Sequence, residues 1–144
     1  GVYLGGTGAA NKLDDYERGT WTPVMQQNSA NPVTPTTRHG HYTKIGNLVT
    51  LYGYFYSANP SNASGSWEFS GLPFSLESLA SGDYQSAKPA YHKLNSTEIG
   101  DASGAQPRWQ CNSATYLVLH GQGRTTSFSS GVLEMSFTGT FRVV

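Results

Sequence analysis

Three acidic residues stand close together near the start of the chain: Asp14, Asp15 and Glu17. Because a pair of carboxylates is the usual apparatus of glycoside hydrolysis, this group is the first candidate for chemistry. The surrounding residues predict a short helical turn from Leu13 to Arg18, in which Asn11 caps the free amides and Gly19 ends the turn. Such a turn spreads the acids around its circumference, and acids near its start complement the helix dipole. We therefore interpret the three acids as structural and predict no catalytic residue.

Two histidines, His39 and His41, alternate along a predicted strand and would project to the same side. This spacing suits two ligands of a zinc site, which needs two more. His92, His120 and Cys111 stand at no recognisable ligand spacing from them. We predict ordinary surface or interface histidines, with no metal and no cofactor.

The chain has a single cysteine, Cys111, so it cannot form an intrachain disulfide. A lone cysteine in a β-rich sequence behaves most often as a small apolar residue. We predict that Cys111 is buried and unreactive.

A mixed aromatic and polar group beside the long loops is the best candidate for binding carbohydrate. Tyrosine and tryptophan rings stack on the C–H faces of sugars, and neighbouring polar groups satisfy the sugar hydroxyls. The predicted ligand-binding residues are Trp109, Tyr84, Arg108 and Gln110. Trp109 fits the core about as well as the ligand site, whereas Trp67, which alternates with Phe69, fits the core better.

Three tyrosines, Tyr52, Tyr54 and Tyr56, alternate along one predicted strand and form a row. Such a row suits a sugar, and it suits a neighbouring subunit equally, because aromatic residues are enriched at interfaces. Three tyrosines in a row make a flat patch more than a pocket. We therefore favour a subunit interface there, joined by Tyr3 and Leu4 from the N-terminal segment.

The elements that must position these side chains are predicted to be β-strands. Short runs rich in Val, Thr, Tyr, Phe and Trp are separated by clusters of Gly, Pro, Asn and Ser, which is typical of a sandwich or barrel. We predict strands near Thr20 to Gln26, His39 to Ile45, Leu48 to Ser57, Gly65 to Ser70, Lys88 to Asn95, Arg108 to Asn112, Thr115 to His120 and Val132 to Val143. Between the second and third of these, Gly46-Asn47 predicts a two-residue hairpin, since both residues tolerate positive φ.

Alternation in two of these strands separates a core face from a polar face. The predicted core residues are Val49, Leu51, Gly53 and Phe55 in one strand and Leu133, Met135, Phe137, Phe141 and Val143 in the other. One buried and one polar side is typical of an antiparallel sheet. The sequence thus predicts an all-β fold, an antiparallel β-sandwich over residues 19–144, preceded by a neck with the short helical turn over residues 1–18.

The composition excludes two kinds of partner. Charged residues make up 12% of the chain, and nine basic residues balance nine acidic ones. Binding to nucleic acid or to an anionic membrane surface needs clusters of Lys and Arg, and in this sequence the basic residues are scattered singly. No apolar stretch approaches the roughly 18 residues of a membrane span. We predict neither nucleic-acid binding nor membrane insertion.

Four segments of the chain carry distinctive motifs. They read L-D-D-Y-E-x-G-T-W-T-P at residues 13–23, Y-T-K-I-G-N-L-V-T at 42–50, S-G-L-P-F at 70–74 and M-S-F-T-G-T-F-R-V at 135–143. Together they resemble the C-terminal module of bacteriophage tail fibre and tailspike proteins. The resemblance implies a jelly-roll-like β-sandwich that assembles as a homotrimer on the virion tail and binds bacterial surface polysaccharide. Residues 75–106 carry no matching mark.

Three functions remain open on this reading. The first is a non-enzymatic module for trimerisation and for binding the host receptor. The second is a small hydrolase or lyase that degrades polysaccharide, and the third is a purely structural trimer clamp. A depolymerase upstream in a longer protein is a further possibility that the resemblance leaves open.

Overall fold

The protein, seen in a computed structural model, is built from antiparallel β-strands. The structure describes residues 2–3, 12–13, 15–27, 31–58, 66–77, 84–94, 97–98, 108–120 and 131–144. The strands are β1 (Val2–Tyr3), β2 (Lys12–Leu13), β3 (Tyr16–Trp21), β4 (Val24–Gln27), β5 (Asn31–Pro32), β6 (Thr37–Ile45), β7 (Leu48–Ser57), β8 (Trp67–Ser70), β9 (Ser86–Leu94), β10 (Thr97–Glu98), β11 (Arg108–Ser113), β12 (Tyr116–His120) and β13 (Leu133–Arg142).

Eleven of these strands form one continuous sheet in the order β3-β6-β7-β13-β9-β11-β12-β8-β4-β5, with β10 paired to β9. The remaining pair, β1 and β2, stands apart from it. Every pairing is antiparallel. The prediction of an antiparallel all-β fold is confirmed.

The sheet curls so that its two halves face each other across one core. β13 and β8 are separated by three strands in the sheet order, yet the ring centroids of Phe137 and Phe69 are 5.1 Å apart. The Trp109 ring of β11 lies 4.6 Å from the Phe69 ring. The two layers of this sandwich-like fold are therefore halves of a single curled sheet.

A row of two glycines flanked by two aromatic residues shapes the inner face. Trp21 pairs with Gly40, Gly40 with Gly53, and Gly53 with Phe137, across β3, β6, β7 and β13. A Cβ atom at Gly40 would overlap the Trp21 indole, and one at Gly53 would lie 2.7 Å from Cε1 of Phe137. The two glycines thus leave the space that the aromatic rings fill.

The Trp21 indole also ties the sheet together through a hydrogen bond. Because Gly40 carries no side chain, the indole reaches across β6, and its Nε1 donates to the Tyr52 carbonyl oxygen of β7 at 3.0 Å. Trp21 is 7% exposed. Its ring therefore belongs to the core, on the inner side of β3 and β6.

The helical turn predicted from Leu13 to Arg18 is wrong. Residues 12–13 belong to β2, and Tyr16, Glu17 and Arg18 belong to β3, opposite Ile45, Lys44 and Thr43. The capping signals are local and weak, whereas pairing with β6 gives the backbone of this segment a full ladder of hydrogen bonds. Asn11 and Asp14 lie outside the described residues. The division into a neck over residues 1–18 and a sandwich over residues 19–144 stays a prediction.

The acids of this segment have structural partners, although strand pairing takes the place of a helix. Asp15 forms an ion pair with Lys44. Glu17 accepts a hydrogen bond from the Tyr42 hydroxyl, and this bond raises the pKa of Tyr42. Both contacts join β3 or its start to β6.

The hairpin and most strand positions are confirmed. Ile45 pairs with Leu48 across the two-residue turn, and Gly46 has φ of 58°. The strand predicted from Thr20 to Gln26 is instead two strands, interrupted by Thr22 and Pro23. At this point the chain leaves β3, at one edge of the sheet, and enters β4 near the other.

The predicted core faces are confirmed as well. The predicted core residues of β7 and β13, and Val143 directly after β13, are buried: Val49, Leu51, Gly53, Phe55, Leu133, Met135, Phe137, Phe141 and Val143. Trp67 and Cys111 are buried too, as predicted. Burial raises the pKa of the Cys111 thiol. Strand alternation was sufficient to separate the two faces of these strands.

Candidate functional site

The structure buries two of the four predicted ligand residues. Trp109 has no exposed surface, and Gln110 is 3% exposed. A side chain without accessible surface can neither stack on a sugar nor reach its hydroxyls, so these two residues do not serve a surface site. The sequence already indicated that Trp109 is buried, because Trp109 alternates with the apolar Cys111 and lies on the same face of the strand.

The other two predicted ligand residues, Arg108 and Tyr84, are exposed but lie apart. Trp109 pairs with Ala87, which places Arg108 level with Lys88 on the neighbouring strand. Tyr84 lies four residues before Lys88, a separation of about 13 Å in an extended chain. The structure therefore does not bring the predicted ligand residues together.

Two of the predicted interface residues, Tyr3 and Leu4, belong to the N-terminal segment. The backbone of Tyr3 lies in β1, but its side chain is outside the described part of the structure, as is the whole of Leu4. Their place at a subunit interface stays a prediction.

The tyrosine row lies on the outer face of β7 and packs against two histidines of β6. Tyr52, Tyr54 and Tyr56 are each partly exposed. His39 stacks on Tyr54 with ring centroids 4.9 Å apart, and His41 stacks on Tyr52 at 6.2 Å. The two histidine rings are 6.0 Å from each other. Four rings thus form one continuous aromatic surface across two strands.

Alternate residues of β3, β6, β7 and β13 extend this surface into a four-stranded outer face. From the hairpin end, its rows are Tyr16, Ile45, Leu48, Arg142; then Arg18, Thr43, Thr50, Thr140; then Thr20, His41, Tyr52, Thr138; then His39, Tyr54, Ser136; and Thr37, Tyr56, Glu134. The face is therefore apolar at the hairpin end, and rich in hydroxyls and aromatic rings beyond it.

An open depression of about 520 Å³ lies in this outer face. It is lined by Arg18, Gly19, Thr20, His41, Tyr42, Thr43, Thr50 and Tyr52. Its volume falls within the range of about 300–1,000 Å³ typical of small-molecule sites. Among the described residues, no carboxylate lines it and none forms an ion pair with the Arg18 guanidinium.

Tyr54 is held in place by a carboxylate of the neighbouring strand. Its hydroxyl donates to Oε1 of Glu134 at 2.9 Å. Burial and this hydrogen bond raise the pKa of Tyr54 to about 12. The phenol therefore stays neutral at physiological pH and acts as a hydrogen-bond donor and aromatic plate.

The apolar end of the outer face carries three large, exposed side chains in one row. Tyr16 is 56% exposed, Ile45 48% and Leu48 47%. The row lies beside the hairpin and ends at Arg142, which pairs with Glu77 at 3.3 Å. Adjacent exposed apolar residues are more typical of a contact surface than single ones are.

The described side chains offer little for metal chemistry. No three His, Cys, Asp or Glu residues among them come close enough to share a metal ion. The side chains of His92 and His120 are not described. Nor does this part of the chain contain a helix that is long and apolar enough to cross a membrane.

Sequence reasoning missed Arg18 and Thr20 as members of a site. The helical turn placed Arg18 away from the sheet, whereas in β3 it alternates with Gly19 and stands beside Thr43. The burial of Trp21 could have supplied the missing signal, because an inward Trp21 puts Thr20 and Arg18 on the outside of an extended strand.

Comparison with known proteins gives no further assignment. No protein-family model matches the chain, and a search of curated proteins finds no match.

Proposed function

We propose that the domain is a trimerising, polysaccharide-binding module of a bacteriophage tail fibre or tailspike, which acts at the virion tail and is not an enzyme by itself. Two things support the proposal. The first is the resemblance of the four sequence segments to such modules. The second, and the observation that carries it, is the aromatic and hydroxyl-rich outer face of β3, β6, β7 and β13.

The middle of this face has the chemistry that sugars require. Tyr52 and Tyr54, stacked on two histidines, present partly exposed rings for the C–H faces of a saccharide. Thr20 and Thr43 place hydroxyls beside them in the depression. Polar groups around aromatic plates are the usual arrangement for an oriented polar ligand.

The apolar end of the same face suits contact with identical subunits. Tyr16, Ile45 and Leu48 expose about half of their surface, and such residues favour burial at a homo-oligomer interface. We assign subunit contact to this row in preference to the row of Tyr52, Tyr54 and Tyr56, because Tyr52 and Tyr54 already pack on histidines. The interface prediction for the three tyrosines remains an alternative.

Size-exclusion chromatography with light scattering tests the oligomer. The chain is expected to run as a trimer at micromolar concentration. The double variant Ile45→Asp/Leu48→Asp should run as a monomer, because it places carboxylates in the apolar contact. Thr37→Asp is the matched control and should remain a trimer, because Thr37 lies on β6, as Ile45 does, but at the other end of the outer face. A wild-type chain that is monomeric at this concentration would contradict trimerisation.

An array of purified bacterial capsular and lipopolysaccharide glycans tests the binding function. The chain should retain at least one of them and release no reducing ends from it. Release of reducing ends would favour the hydrolase or lyase. Binding to none of the glycans by a stable trimer would favour the structural clamp.

A further inference from the structure

We infer that the depression binds an acidic sugar residue, with the ligand's carboxylate on the Arg18 guanidinium and its ring against Tyr52 and His41. This inference rests on the proposed polysaccharide binding and names the kind of saccharide that the site takes.

Strand register brings these three side chains to one place. Arg18 and Thr20 are neighbours on the outer side of β3, and Thr20 stands opposite His41 of β6. His41 in turn stands opposite Tyr52 of β7, and their rings stack with an interplanar angle of 22°. All of these residues line the 520 Å³ depression. The cation and the aromatic plates thus face one ligand-sized space.

Arg18 differs in its pairing from Lys44 and Arg142, two other cations of the same four strands. Lys44 is paired with Asp15, and Arg142 with Glu77. Arg18 has no carboxylate partner among the described residues, and it is exposed. An exposed guanidinium beside a site that lacks carboxylates favours an anionic ligand.

The guanidinium also selects the form of the anion. Its planar fork of N–H donors matches the two oxygens of a carboxylate and binds them in a bidentate manner. Nucleic acid would need several cations along its path, and among the described residues Arg18 is the one Lys or Arg that lines the depression. A single carboxylate on a sugar ring fits this set better.

The rest of the lining fits a sugar ring beside that carboxylate. Thr20 and Thr43 offer hydroxyls that can donate or accept. The Thr50 hydroxyl is 2.9 Å from the Thr140 hydroxyl, which holds both at the edge of the site. Aromatic surface and hydroxyls together match the two faces of a saccharide.

The test compares each acidic polysaccharide that the chain binds with its carboxyl-reduced form, in which the acid becomes a neutral primary alcohol. Reduction should weaken binding by about tenfold, the loss expected for one charge-assisted contact near the surface. Binding of the native acidic form should also weaken as salt is added, because the pair is exposed.

Three proteins complete the experiment: the wild-type chain, Arg18→Gln and Arg108→Gln. Arg18→Gln should bind the native polysaccharide about tenfold more weakly and should lose no further affinity when the carboxyl is reduced, since both changes remove the same contact. Arg108→Gln removes one cation from β11, outside the depression, and should bind like the wild type.

The outcomes separate the inference from the proposed function. Unchanged binding after carboxyl reduction, or an unaffected Arg18→Gln, would overturn the inference and leave polysaccharide binding in place. Loss of affinity in Arg108→Gln alone would move the acidic contact to the residues first predicted from the sequence. Failure of the chain to bind any polysaccharide would overturn both.

Discussion

The two faces of the strands β3, β6, β7 and β13 differ in packing and chemistry, although alternate residues of the same strands form them. The inner face carries Trp21, Gly40, Gly53 and Phe137 in one row, fitted together without space for an added methyl group. The outer face carries partly exposed hydroxyls, histidines and tyrosines, and it has an open depression.

This difference separates stability from recognition within one piece of sheet. Buried apolar contacts supply most of the free energy of folding, so changes on the inner face should be costly. Outer side chains contribute little to that free energy and can therefore be chosen for a ligand. Substitutions on the two faces therefore test this division between stability and recognition.

Phe137→Ala should destabilise the protein by about 3–5 kcal/mol, because it leaves a cavity beside four other buried rings. Thr138→Ala, one residue further on the same strand but on the outer face, should change the free energy of unfolding by no more than about 0.5 kcal/mol. Urea unfolding of both variants makes the comparison. Similar losses for the two would show that the faces do not differ in this way.

Gly40→Ala should cost about 1–3 kcal/mol, because the added Cβ overlaps the Trp21 indole. The same change made in a Trp21→Leu background should cost much less, since the overlapping ring is gone. A double-mutant cycle from urea unfolding measures this coupling. Additive costs would mean that the glycine is required for some other reason.

The same division explains how much of the fold the sequence could predict. In β7 and β13, alternation is regular, and Gly46-Asn47 fixes the register between β6 and β7, so strands, hairpin and core face could be predicted. For Tyr16 to Arg18, the pattern also fitted a capped turn. Only the long-range pairing with β6 decides between a helical turn and a strand, and the local sequence does not specify that pairing.

The site was harder to predict than the fold for a related reason. Trp109 has polar neighbours in sequence, but its burial depends on which face of β11 lies on the same side of the sheet as Phe69. The depression needs Arg18, His41 and Tyr52 to come together from three strands. Their juxtaposition follows from sheet order, which a single sequence does not reveal.

Tyr54→Phe should produce a smaller change, which depends on pH. The pKa of Tyr54 is raised from 10.0 to about 12, so the folded state holds the phenol proton more tightly than the unfolded state does. This contribution to stability is complete below pH 10 and is lost as the pH rises towards 12. In Tyr54→Phe, part of the loss of stability over this range should disappear.

Titration of tyrosinate absorbance in the near ultraviolet checks the same prediction directly. The step at highest pH in the wild-type protein should be missing from Tyr54→Phe and retained in Tyr56→Phe, which leaves the bond to Glu134 intact. Persistence of that step in Tyr54→Phe would show that another tyrosine is responsible.

Cys111 lies on β11, in the other half of the sheet, and the prediction for it concerns the reactivity of its thiol. Its thiol is buried, burial raises its pKa, and Sγ lies 3.3 Å from the carbonyl oxygen of Ser113, to which it can donate. A thiol-reactive chromogenic disulfide should therefore modify the folded protein far more slowly than the urea-unfolded protein. Equal rates would contradict the buried position of β11.

The central claim is that the outer face binds ligand while the inner face maintains the fold, and Tyr52→Thr tests it most directly. Threonine keeps a residue that favours strands but removes the ring from the depression. The affinity for the polysaccharide selected by the array should fall by about tenfold or more, while thermal unfolding stays close to that of the wild type. Unchanged affinity in Tyr52→Thr, together with loss of binding in Tyr84→Thr, would contradict the claim and place recognition on the opposite half of the molecule.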